Sequence, residues 1–225
     1  GTKKIMVGKS IYEFWLKEYV GVDPQDGAAL YRFDDTVDEN GNVAQIWDDT
    51  DCRTVNGEKV TTNQEKAKYH YAGSAIPKVY GGFNTSVKFK DFELSAVFSY
   101  ALGGKVYNSS YLSLMSVNKY GAAMHTDIYD RWQKPGDIAP LRNIKDMNTS
   151  TMPTSRFVQD DNELSLSALT LSYDFNTDWL KKIRLKMLRL ELSTNDLFRA
   201  STVRLERGTS YPFARTFNFS LRATF

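Results

Sequence analysis

Two consecutive segments alternate apolar and polar residues with period two for about a dozen positions each, and few folds accommodate that. Val79, Gly81, Phe83, Thr85, Val87 and Phe89 alternate with Tyr80, Gly82, Asn84, Ser86, Lys88 and Lys90. After Lys90-Asp91, Phe92, Leu94, Ala96, Phe98, Tyr100 and Leu102 alternate with Glu93, Ser95, Val97, Ser99 and Ala101. At the C-terminus Phe217, Phe219, Leu221, Ala223 and Phe225 oppose Asn218, Ser220, Arg222 and Thr224. Period two puts each set on one face of a strand. Globular strands usually run to about 5–6 residues, whereas a tilted strand crosses a bilayer in about 9–11.

Two further segments carry phase slips. Leu169, Leu171, Tyr173 and Phe175 share a face that Leu164 and Leu166 do not; Leu188, Leu190 and Leu192 share one that Ile183, Leu185 and Met187 do not. Both slips read as bulges or as strand ends. The least regular strand is Ser10 to Val20, where Trp15 and Tyr19 interrupt the polar face and an amphipathic helix fits nearly as well. The connections then alternate strictly: 21–78 long, Lys90-Asp91 minimal, 103–161 long, 176–182 short, 199–212 intermediate. Short periplasmic turns and long extracellular loops are how outer-membrane barrels are built, and this parity puts the C-terminus in the periplasm. The expected fold is all-β, an antiparallel transmembrane β-barrel segment of about six C-terminal strands. Six strands cannot close a barrel, so others, like the signal peptide, are expected upstream.

Composition agrees. Lys plus Arg is 29 against 27 for Asp plus Glu, a net charge of +2, which argues against nucleic acid as a partner. No apolar run reaches the roughly 18 residues of a membrane helix. A mean hydropathy of −0.46 suits strands that are apolar on one face only. Cys52 is the one cysteine, which reads as a stray surface thiol.

Seven segments, in order, resemble the SusC-like (RagA-like) TonB-dependent transporters. Glu18 to Tyr31 is similar to the family's EYAGVDPETGEALY. Ile76 to Phe83 and Tyr100 to Tyr107 are similar to its PKxxGGF and GGKxY motifs. Arg131 to Asp137, Leu169 to Tyr173, Asn195 to Phe198 and Tyr211 to Phe217 follow; Leu164-Ser165-Leu166-Ser167 replaces the start of the family's YLRLKNLTLGY strand. The resemblance implies a 22-stranded plugged barrel in the outer membrane of a Gram-negative bacterium, residues 1–225 being its C-terminal portion. It also implies import driven through the TonB complex, a SusD-like lipoprotein cap, and an oligosaccharide cargo, with oligopeptides second. No catalytic residue or cofactor is expected. The rival readings are a passive porin or surface adhesin, and a soluble glycan-binding β-domain whose Phe83, Phe89, Phe98 and Phe219 would face a core.

Candidate ligand contacts lie in the long connections. Trp47 beside Asp48 and Asp49 combines a flat aromatic face with carboxylate acceptors; Tyr107, Tyr111, Arg131 and Trp132 offer the same tools, with loop packing as the alternative. Phe217, Phe219 and Phe225 resemble the aromatic C-terminal assembly signal of outer-membrane barrels. Tyr100, Tyr107, Tyr173 and Tyr211 suit an interfacial belt. His70 and His125 read as solvated loop residues, with no expected metal site. Asp38-Glu39-Asn40-Gly41-Asn42 lacks the spacing of a calcium loop and reads as an Asn-Gly turn, like Asn56-Gly57. Looser calcium binding at Asp48, Asp49 and Asp51 stays open.

Overall fold

A computed structural model describes residues 1–115, 124–145, 153–175, 177–182, 184–203 and 215–225. Tyr211 to Ala214 of the final motif lie outside them. The chain divides into two compact units, Gly1–Ala75 with Lys105–Gln159, and Ile76–Gly104 with Asp160–Phe225.

The first unit holds six short strands: β1 (Glu13–Lys17), β2 (Tyr19–Val22), β3 (Ala29–Arg32), β4 (Cys52–Val55), β5 (Glu58–Thr61) and β6 (Tyr69–Ser74). β1 pairs with β6, and β2-β3-β5-β4 form a four-stranded sheet. The expected first barrel strand, Ser10–Val20, is therefore divided between two small sheets of this unit. The reason is that β1 is covered on both faces. Phe14 and Leu16 are buried on one, and on the other Trp15 stacks on Tyr69 and tilts onto Tyr71. Alternation fails wherever both faces are covered. Lys17, buried beside them, donates to the Ala67 and Glu65 carbonyls at 2.6 and 2.9 Å, and burial pulls its pKa down. The β4–β5 turn is the expected Asn56-Gly57, both at positive φ (52° and 81°), as a type I′ hairpin requires.

The second unit is the long-strand sheet: β7 (Val79–Phe89), β8 (Phe92–Tyr107), β9 (Val158–Asp174), β10 (Met187–Ser201) and β11 (Phe217–Thr224), in order β11-β10-β9-β8-β7. It is an up-and-down antiparallel meander of five strands. Phe89 pairs with Phe92 across the two-residue turn, Lys90 taking a φ of 53°. Between β9 and β10 the connection carries the short helix α2 (Thr177–Lys182), and Leu185 precedes β10, so that slip is a strand end. The other slip accompanies a bulge in β10: Asn195 pairs with Ala168 but Phe198 with Leu166, and Asp196 sits at φ 50°. The Asn195-Asp196-Leu197-Phe198 motif is this bulge.

The two faces of the sheet differ sharply. One is apolar and uncovered, with Phe83 51% and Phe89 69% exposed, and Phe219 69%. Phe83 stacks on Phe98 across β7 and β8. The other face is ion-paired. Arg189 grips Asp174 with two bonds (2.6 and 2.8 Å) and reaches Glu93 at 3.2 Å, tying β10, β9 and β8. Further along, Arg199 meets Glu163 at 2.6 Å. Ser99 bonds both Ser165 and Ser167 at 2.8 Å, so the serines replacing the family motif bridge β8 and β9. No helix among the described residues is long and apolar enough to cross a membrane.

Candidate functional site

The predicted contact residues all lie in the first unit, in three groups with separate partners. Trp47 packs edge-on against Phe33 at 5.1 Å, and its indole N–H donates to Asp49 at 2.6 Å. Asp48 accepts from the Thr50 amide at 3.0 Å and lies 3.8 Å from Lys66. Asp51 accepts from Lys66 (3.0 Å) and from the Asn63 amide group (3.1 Å). Burial opposes its ionisation, but these donors outweigh burial and hold the carboxyl below its usual range. The acidic run is thus engaged as acceptors for its own neighbours. No group of three or more potential metal ligands occurs among the described residues.

Tyr107 and Tyr111 form the second group, packed against the Met115–Leu141–Phe157 cluster. Tyr111 lies in the first turn of the helix α1 (Ser109–Leu114), whose cap Asn108 accepts from the Tyr111 amide at 2.9 Å. Its phenol donates to Asp127 at 2.8 Å, and burial followed by that carboxylate pushes its pKa up to about 12. His125 stands edge-on to the Tyr111 ring at 5.0 Å and accepts from the Asp127 amide. His70 lies in β6 with Nδ1 3.2 Å from the Leu16 carbonyl oxygen. Both histidines, expected as solvated, are partly buried structural residues.

The third group is a docking of two connections. Trp132 is buried, its N–H donating to the Pro24 carbonyl at 2.9 Å. Gly136 donates to the same carbonyl at 2.7 Å, and Asn143 to that of Gly27 at 2.7 Å. At Gly27 (φ 72°) a Cβ would stand 2.5 Å from the Trp132 ring, so only glycine fits. Trp132 therefore packs and presents no open face. Arg131 donates to the Ile128 carbonyl at 3.2 Å.

Cys52 is a further correction: it is buried in β4 and not at the surface, and burial pushes its thiol up. Asp38 closes the Asn40-Gly41 turn, accepting from the Asn40 and Asn42 amides at 2.9 and 2.8 Å.

Residue patterns did not point to a groove of about 570 Å³ between β2 and β4, with Leu30 among its lining residues. Arg53 lines it and is held by Asp23 and Asp26, both at 2.8 Å. Asp23 is buried; Asp26 is half-exposed. Burial opposes the charge on Asp26, yet Arg53 and the Ala28 amide keep its pKa below the usual carboxylate range. The signal available in sequence was the DPQDG turn, read there only as part of a motif.

No family model matches the chain. It is 27% identical, over its whole length, to TonB-dependent receptor P3 of Formosa agariphila, and 23% identical to TonB-dependent receptor P26 of the same organism. It spans about a quarter of those proteins (23% and 24%). In fold it is similar to a chain of the RagAB peptide transporter, with a TM-score of 0.70 at 18% identity over 95% of this chain and 23% of that one. A similar match, TM-score 0.65, is to the RagAB peptide importer in its closed-closed state.

Proposed function

We propose, for a chain similar to TonB-dependent receptors from end to end and folded as part of a RagA-like barrel, that it forms the C-terminal wall and extracellular loops of an outer-membrane nutrient importer. The observation that carries this is the two-faced sheet. Its apolar face suits lipid and its ion-paired face a polar lumen, while a soluble domain would bury Phe83, Phe89 and Phe219. Energy would come through TonB, acting on parts of the protein upstream, and a SusD-like lipoprotein would cap the mouth. The first unit, carrying both long connections, would face outward, and the C-terminus the periplasm. No covalent chemistry is required.

Of the two cargo classes, oligopeptide is the one the first unit favours. Sugar recognition leans on open aromatic faces, yet Trp132 is buried and Trp47, 36% exposed, is packed edge-on against Phe33. Oligosaccharide is the second reading, carried by Trp47, Asp48, Asp49, Tyr107, Tyr111 and Arg131 rearranging around a ligand. Labelled oligopeptide and oligosaccharide uptake by cells with and without TonB tests both; equal uptake without TonB overturns active import and favours a passive porin. Phe217, Phe219 and Phe225 would serve in assembly. Deleting Phe225 from the full-length protein should impair insertion far more than Phe225→Tyr.

A further inference from the structure

We propose that the groove between β2 and β4 binds a short extended peptide through its free amino end, as a strand added between two open sheet edges. β2 and β4 are the outer strands of the β2-β3-β5-β4 sheet, yet both line one groove. In the β4–β5 hairpin the pair flanking the two-residue turn, Val55 and Glu58, exchanges both backbone bonds. Alternation then turns the N–H and C=O of Thr54 away from β5. On β2, Asp23 donates to the Ala28 carbonyl at 2.9 Å, and Val22 opposite Ala29 is the intervening pair. Val22 therefore also turns its backbone groups outward. Neither Thr54 nor Val22 has another backbone partner among the described residues.

Sequential pairing makes β2 and β4 antiparallel, so an inserted strand would run parallel to one and antiparallel to the other. The lining includes Val20, Val22, Leu30 and Val55 and has no aromatic platform, which suits small aliphatic side chains better than a sugar ring. Its volume lies in the range of small-ligand sites. Two carboxylates, Asp23 in the lining and Asp26 beside it, bond the single guanidinium of Arg53. The excess negative charge, with Asp26 half-exposed, selects an ammonium group. Main-chain bonds would supply affinity and these carboxylates the polarity of binding.

The inference deepens the oligopeptide reading and rests on it. The test uses the full-length protein in detergent, titrated calorimetrically with the tetrapeptide Ala-Val-Ala-Val, its N-acetylated form, and maltotetraose. The free-amine peptide should bind and the sugar should not. Thr54→Pro, tolerated on an edge strand whose N–H faces outward, should weaken binding at least about tenfold. Asp26→Asn should erase the preference for the free amine over the acetylated peptide. Equal binding of both peptides to the native protein, unchanged affinity in Thr54→Pro, or preference for maltotetraose would overturn the proposal. Heat-modifiable migration confirms that each variant is a folded barrel. A folded, TonB-dependent importer that fails to bind the peptide here refutes the groove alone; loss of TonB-dependent uptake refutes the importer.

Discussion

Gly27 and Trp132 are more than a hundred residues apart in sequence and meet at van der Waals distance, which makes Gly27→Ala a severe change. It adds a Cβ 2.5 Å from the Trp132 ring and forces a non-glycine residue to positive φ. The cost should be about 2–4 kcal/mol of local stability, read as faster proteolysis within 24–27 and 131–137 of the full-length protein. Tyr111 gives a pH signature. Its pKa, raised from 10.0 to about 12, means that the folded state favours the protonated phenol. That contribution is complete below about pH 10 and is lost as pH rises toward 12. Alkaline loosening of α1 over that window should flatten in Tyr111→Phe; an unchanged profile would show that ionisation of Tyr111 does not drive it. At this scale the sequence named residues without their partners. An exposed stacking platform and a buried anchor are both written as Trp, and only the glycine opposite tells them apart.

Strands were more legible than side-chain roles. β7, β8 and β11 fall where period-two alternation put them, because one face of each is apolar and the other polar. β1 was illegible for the opposite reason: Leu16 and Trp15 are covered on both sides, so no polar face remains to mark the period. The β10 bulge lies between. Its phase slip was visible, but the residue absorbing it was not. Asp196 occupies the left-handed region at φ 50°, which Asp tolerates and a β-branched residue does not. Asp196→Val should cost about 1–2 kcal/mol while Asp196→Gly is near neutral. The urea midpoint of heat-modifiable migration measures both, and equal midpoints would show that the bulge relaxes without strain.

For the molecule as a whole, the decisive quantity is the uncovered apolar face. Placing a charge there should be costly in proportion to its depth: Phe219→Arg by about 2–4 kcal/mol if it lies near the bilayer midplane. Arg at Asn218, on the opposite face of β11, should cost much less. Yield of folded full-length protein in outer-membrane fractions checks this, and matching yields would deny the sheet its two-sidedness. The division into two units was not legible. Nothing in the 21–78 and 103–161 segments, taken singly, announces that they fold together, since Trp132, Gly136 and Asn143 all dock on backbone carbonyls, those of Pro24 and Gly27, which carry no residue signature.

β8 and β9 run to 16 and 17 residues, where a tilted crossing consumes about 9–11. The surplus of roughly six residues is about 20 Å of hydrogen-bonded ribbon at 3.3 Å per residue. Such a ribbon is stiff, unlike a loop of equal length. Where a loop would begin to wander, such a strand keeps its ladder and therefore its direction.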